Sequence, residues 1–328
     1  MKNHILPFLL LLLVSAFQTV IAESQPQSSD KAFDWIQKVA TAPRQYNYSG
    51  TFVYYADNYM ESSQVTHKVD HEGEFEKIEV LDGSTRIVFR NNDEMKCYLP
   101  DSKKIYTEKR WFRKFFPDLL PQPSERIKEN YNIQIKKQER VAGYDGQILM
   151  LVPKDNLRYG YKFWIHVDSG LLLKAAVMDK ENIIEQFAFA QIEIDGEIDA
   201  SILDPDSSFK ATKNWKTINL STVLLDEGEL AWRLGKLPSG FKKVAEMKRN
   251  LVGKSLMVDH IVLSDELASV SVFIEPVIKD TSSPVPGFYS SRGAINIYVR
   301  ELENNKITTV GEVPLNTIKL IGDAVRLQ

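Results

Sequence analysis

Three hydrophobic patterns follow one another along the chain. Ile5 to Phe17 is an almost unbroken apolar block behind Met1-Lys2-Asn3-His4, and Val20-Ile21-Ala22 supplies small residues of the kind a signal peptidase reads. The block falls short of the ~20 residues that a bilayer-spanning helix needs, so residues 1–22 are expected to be a cleaved secretory signal. Residues 23–30 are polar and rich in Ser and Gln, as in a flexible leader. Phe33, Ile36, Val39 and Ala40 then recur at helical spacing behind Asp30, a good capping residue, and Pro43 ends the run.

From Tyr46 the period changes to two. The alternation predicts strands over 46–55, 63–69, 74–80, 85–89, 94–99 and 105–107, with Asp82-Gly83 as a hairpin turn. Trp111 to Pro123 interrupts it with a helix or covering loop. Strands resume over 131–140, 147–153, 159–167, 171–178 and 183–194, with turns at Gly143-Tyr144-Asp145-Gly146 and Asp168-Ser169-Gly170. Many short strands and one early helix predict a mainly β N-terminal domain over 31–204, a strongly curved antiparallel sheet wrapped round a helix or a cavity.

Residues 205–225 carry little sustained pattern and read as a linker. Beyond it, Trp232 to Leu234 precedes Leu237-Pro238-Ser239-Gly240-Phe241, and strands over 260–264, 270–275, 296–300 and 306–310 lead to a helix over 315–325, whose Ile318, Ile321 and Val325 share a face. A smaller α+β domain over 226–328 is expected. Residues 278–287, with Pro284, Pro286 and Gly287, read as a loop. Two domains also suit the length, because single cores stop growing near ~250–300 residues.

Composition narrows the function classes. The net charge is −3 and cleavage of the signal would remove Lys2 and no acid, so no general nucleic-acid-binding face is expected. No later stretch is apolar and long enough to span a membrane. Cys97 is the single cysteine, which excludes an internal disulfide and leaves stability to the cores. It falls in a predicted strand, where a buried thiol is expected rather than a nucleophile. The chain has no Gly-x-Ser-x-Gly elbow, no phosphate-binding glycine loop and no His-Glu-x-x-His helix. His67 and His71 lie four apart in a strand pattern leading to a turn, so they read as surface residues and not as metal ligands. No enzyme, metal or cofactor is expected.

One segment stands out chemically. Lys103-Lys104 precedes Lys109-Arg110-Trp111-Phe112-Arg113-Lys114-Phe115-Phe116. Cations of this kind pair with phosphate and the aromatics suit an acyl–headgroup boundary. The same aromatics share one helical face and could equally be core, with the cations solvated. The two readings coexist if the segment lids a cavity. Lys109, Arg110, Trp111, Phe112, Arg113, Lys114, Phe115 and Phe116 are therefore the candidate ligand-binding residues. Phe288 and Tyr289, aromatics beside the Pro-rich loop, are candidate partner contacts, with loop-anchoring as the alternative.

Several segments resemble the MucB/RseB family. They are Tyr48-Ser49-Gly50-Thr51-Phe52-Val53-Tyr54, the run Arg158 to Lys174, Glu185-Gln186-Phe187-Ala188-Phe189, Leu237-Pro238-Ser239-Gly240-Phe241, the run Val262 to Phe273, and Val310-Gly311-Glu312-Val313-Pro314. They span nearly the whole mature chain in order. The resemblance implies a periplasmic, non-enzymatic regulator with a lipoprotein-carrier-like half-barrel. It also implies a smaller domain that grips the periplasmic region of an anti-sigma factor of the RseA/MucA kind. Binding would shield that factor from regulated proteolysis and so restrain an envelope-stress sigma factor, and lipopolysaccharide-like or lipid ligands would release it. A homo-oligomer is compatible with this picture. The alternative is a periplasmic lipid or lipoprotein carrier using the same cavity, which would have no need of a second domain.

Overall fold

A computed structural model describes residues 26–109, 116–120, 125–209, 212–226, 228–254, 256–277 and 285–328. The early helix α1 (Pro26–Thr41) begins before the expected cap at Asp30, which lies inside it. Pro26 explains the early start, since a first-turn proline has a preset φ and loses no helical hydrogen bond. Ala32, Phe33, Ile36, Val39 and Ala40 are buried, which is the helical spacing read from the sequence.

The period-two region forms β1 (Tyr48–Ala56), β2 (Tyr59–Asp70), β3 (Gly73–Val80), β4 (Arg86–Asn91), β5 (Glu94–Leu99) and β6 (Lys104–Lys109). After the short α2 (Ile127–Asn130) come β7 (Tyr131–Val141), β8 (Tyr144–Pro153), β9 (Gly160–His166), β10 (Leu172–Asp179) and β11 (Asn182–Ile194). The turn expected at 143–146 is instead Ala142-Gly143, both at positive φ, as a two-residue hairpin loop with the twist of its strands requires.

β1 pairs with β11, so two antiparallel meanders join edge to edge. Met95 and Cys97 of β5 and Tyr161 of β9 line the same cavity. Seven strand spacings separate β5 from β9 in the sheet order, which is about 34 Å on a flat sheet. The sheet is therefore strongly curved. Its concave side holds α1 against Tyr48, Tyr131, Leu149 and Leu171 to Leu173.

Residues 205–225 carry more structure than a plain linker. After the short α3 (Pro205–Ser208), β12 (Lys216–Asn219) runs parallel to β6 as the outermost strand of the large sheet. Phe209 stacks on Tyr98 at 4.6 Å, and Trp215 packs beside it. Three residues on, β13 (Thr222–Leu224) already belongs to the second sheet.

That sheet continues with β15 (Lys242–Arg249), β16 (Val258–Ser264), β17 (Ser269–Pro276), β18 (Gly287–Ser290), β19 (Asn296–Leu302) and β20 (Asn305–Gly311) in the order β13-β15-β16-β17-β20-β19-β18. β14 (Trp232–Leu234) pairs with β21 (Val325–Leu327), and α4 (Leu315–Ala324) covers one face with Ile318 and Ile321 fully buried. Residues 287–290, at the end of the expected Pro-rich loop, form the edge strand β18. The protein is thus mainly β, with a large curved sheet enclosing a helix and a smaller α+β unit. No helix among the described residues is long and apolar enough to cross a membrane.

The other face of the second sheet buries His260, stacked on Phe273 at 4.3 Å, with neither ring nitrogen hydrogen-bonded. Burial, reinforced by the charge of Arg249, drives its pKa from 6.5 down to about 3. The folded protein therefore holds His260 neutral while the unfolded chain takes up a proton below about pH 6.5. This contribution to stability is complete above that pH and declines as the pH falls toward 3. Urea melts at pH 7 and pH 4.5 should show the wild type losing on the order of 2 kcal/mol from this source, and His260→Leu should lose that much less. Equal acid sensitivity of the two proteins would refute the assignment.

Candidate functional site

The concave face of the large sheet leaves a cavity of about 530 Å3. Phe52, Phe163, Val177 and Phe187 line it from the strands, and Phe116, Leu119 and Leu120 close one side. Phe116 is buried face to face with Phe187, ring centres 5.6 Å apart, and touches Phe52 and Phe189. Asp118 is also buried, 3.9 Å from the Arg44 guanidinium, and burial raises its pKa. These contacts fix the segment after the cationic–aromatic run to the cavity wall.

An ionic cluster borders the same space. Glu76 and Arg90 are buried 3.3 Å apart, and Tyr48 donates to Glu76 at 3.4 Å. Burial alone would raise the Glu76 pKa, but the charge of Arg90 and the contacts from His67 and Tyr48 hold it below its usual value. His67 is fully buried, contrary to the surface position expected from sequence. The strand β2 runs on to Asp70, which turns His67 onto the concave face, stacked on Tyr48 at 4.5 Å. Its Nε2 lies 2.7 Å from the Pro43 carbonyl, which can only accept, so Nε2 carries the proton. Cys97 is partly exposed and lines the cavity rather than being buried as expected. Among lining residues, Glu61, Glu76, Glu185 and Glu312 outnumber Arg86 and Arg90. The interior thus suits an acyl chain better than an anionic headgroup.

The second domain completes the enclosure. Leu267, Ile295 and Glu312 line the cavity, and Leu267 and Ala294 are buried within the core of the large domain. The seam is pinned by Arg158 and Asp265, 2.7 Å apart with both side chains inaccessible to solvent. Arg158 also donates to Asp155 and to the Ser239 carbonyl, and lies over the rings of Tyr131 and Phe241. Asp265 accepts from Tyr131 Oη at 3.1 Å and from the backbone amides of Leu267 and Ala268. Gly240, at φ +85°, sits where a Cβ would fall 2.4 Å from Asn130 Oδ1 and 2.8 Å from Arg158. Further along, Asn296 donates to Tyr159 Oη and Thr317 to the Leu157 carbonyl.

Of the residues proposed from sequence, Lys109 is exposed at the end of β6 and Phe116 is in the cavity wall. Arg110, Trp111, Phe112, Arg113, Lys114 and Phe115 lie outside the described residues. Phe288 (49% exposed) and Tyr289 (39%) stand on the edge strand β18, remote in sequence from the cationic run. Sequence reasoning missed Arg158, Glu185, Asp265 and Glu312. The signal was there, because each lies in a segment that carries the family resemblance and those segments converge on the seam.

A curved sheet around an apolar cavity, closed by a second domain, defines a two-domain binding protein. The chain belongs to the MucB/RseB family: residues 31–207 match the MucB/RseB N-terminal domain and 226–326 the C-terminal domain. It is 28% identical to the sigma factor AlgU regulatory protein MucB of Pseudomonas aeruginosa over 97% of this chain and 96% of that one. It is 24% identical to the sigma-E factor regulatory protein RseB of Haemophilus influenzae, over 96% of each. Among solved structures it resembles P. aeruginosa MucB in the MucA/MucB complex, with TM-score 0.68, 26% identity and coverage of 91% of this chain and 99% of that one. MucB alone gives 0.65 and 25%, covering 92% and 99%.

Breaking a buried ion pair from one side leaves the other charge stranded. Asp265→Asn or Arg158→Met should each cost about 3–5 kcal/mol in denaturant melts. The paired change Arg158→Met/Asp265→Leu should recover part of that loss, and strict additivity would show that the two do not act as a unit.

Proposed function

We propose that this chain is a periplasmic regulator that binds the periplasmic region of an anti-sigma factor, shields it from regulated proteolysis and thereby restrains an envelope-stress sigma factor. The observation that carries this reading is the match to MucB along almost its whole length, together with the structure of that relative in complex with MucA. Residues 1–22 act as the secretory signal, and 226–328 supply most of the grip, with Phe288 and Tyr289 on the open edge of the second sheet as partner contacts.

Release follows from occupation of the cavity by an amphiphile such as lipopolysaccharide. Its acyl chain takes the apolar interior, which the acid-rich lining denies to phosphate. Its phosphates stay outside, on Lys109, Arg110, Arg113 and Lys114, a run that ends two residues before the cavity-lining Phe116. A ligand shifts the balance only by binding the released form better than the gripping form. The cavity offers that difference because residues of both domains line it. A carrier would gain nothing from such a wall.

Titration calorimetry of the mature chain with its cognate anti-sigma periplasmic region should give saturable binding that protects the region from its protease. Absence of binding would overturn the reading. Reversal of Lys109, Arg110, Arg113 and Lys114 to Glu should leave that affinity unchanged. It should also blunt release by lipopolysaccharide by about tenfold, or about 1.4 kcal/mol of coupling. Undiminished release would remove the phosphate role from these four residues.

A further inference from the structure

We propose that the turn joining β18 to β19, residues 291–295, is a latch on the cavity. An entering acyl chain must displace it, and its displacement loosens the domain seam while Arg158 and Asp265 hold as the pivot. The proposal rests on the amphiphile reading of the cavity and assigns the moving part.

The two halves of the seam differ in kind. At the pivot, a charged pair is out of water, hydrogen-bonded on both sides and stacked between rings, so opening it would strand two ions. The latch is held by separable contacts. The backbone amide of Ala294 donates to Glu185 Oε2 at 2.9 Å, and that of Gly293 donates to Asp57 Oδ2 at 3.4 Å. The exposed Arg292 guanidinium lies 3.6 Å over the ring of Tyr59. When the turn lifts, its backbone amides and Arg292 can return to water.

The latch also intrudes on the ligand's space. Ala294 has no solvent exposure and packs in the core of the large domain, while Ile295 next to it lines the cavity. Gly293, at φ +66°, is seated so closely that a Cβ would fall 2.3 Å from Glu185 Oε2 and 3.1 Å from Tyr54 Oη. Glu185 thus serves two surfaces, as acceptor for the turn and as cavity wall. A chain filling the cavity presses on Ile295 and on the carboxylate that holds Ala294. The turn is the tip of the β18–β19 hairpin, so its movement is carried directly into the edge strand β18.

A thiol placed beside Glu185 tests this. Val177 pairs with Glu185 across β10 and β11, lines the cavity and is 8% exposed. In a Cys97→Ser/Val177→Cys background of the mature chain, a bulky maleimide should label position 177 slowly. Adding Arg292→Ala and Glu185→Gln should raise the rate about tenfold, the factor given by about 1.4 kcal/mol of lost latch energy. Arg292→Ala alone, at an exposed position that does not threaten folding, should act in the same direction. Equal rates in proteins with unchanged circular dichroism would overturn the latch. Dodecanoate below its micellar concentration separates the two ideas. If it protects the thiol while the latch variants label like their parent, the cavity takes acyl chains and the latch falls. If the variants label faster and dodecanoate gives no protection, the latch stands and the amphiphile reading fails.

Discussion

An arginine and an aspartate with no access to water face each other across the domain seam, and the arrangement of the molecule depends on how that pair is accommodated. Desolvating two charges is costly, and the cost is offset only where geometry and remaining hydrogen bonds are nearly complete. Arg158 and Asp265 meet that demand by drawing in Asp155, Tyr131, the Ser239 carbonyl and the amides of the 265–268 turn. Such a network tolerates little rotation or slip, so it specifies one relative position of the two domains more than it adds stability. With the position specified, Leu267 enters the core of the large domain and the second sheet becomes a wall of the cavity.

The curvature of the large sheet is the other half of the arrangement. Two meanders joined through β1 and β11 give a surface too wide to be covered by one helix. α1 fills part of the concavity, and the rest stays open as an apolar space bordered by the Glu76–Arg90 cluster. A half-barrel that cannot close on itself needs a lid, and here two sources provide it. One is the segment at 116–120, tied down by Phe116 and Asp118. The other is the pair of turns from the second domain. Residues of both domains thereby line one cavity, so the coupling proposed above needs no long relay.

Much of this was legible in the sequence because strands such as β1 alternate buried and half-buried positions and the others are bounded by turn residues, although β8, β9 and β10 carry runs buried on both faces. β1, β5 and β11 fall within two residues of their expected ends. What was missed depends on tertiary contact. β15 reads as charged surface, since Lys242, Lys243, Glu246, Lys248 and Arg249 obscure the alternation, yet it is an internal strand held by β13 and β16. β12, β13 and β18 are only three or four residues long, and β12 and β13 owe their pairing to neighbours distant in sequence. The site was hidden for a related reason. A charged residue in a strand or turn reads as solvated, and nothing local to Arg158 or Asp265 says that each is buried against the other. Only the resemblance placed those segments together, and only the fold gives the reason.

On the function proposed above, the distribution of charge sorts the two halves of an amphiphile. The cavity lining carries more carboxylates than guanidinium groups, so the interior rewards hydrocarbon and rejects phosphate. The cations collect instead in the run from Lys109 to Lys114, contiguous with the wall through Phe116. On that proposal an amphiphile would place its chain in this interior and its phosphates on that run. Hydrocarbon placed there would meet Leu267 and Ile295, which line the cavity from the other domain. On that proposal the chain that gains from burial would strain the seam, and a bare anion, with no chain to insert, would not.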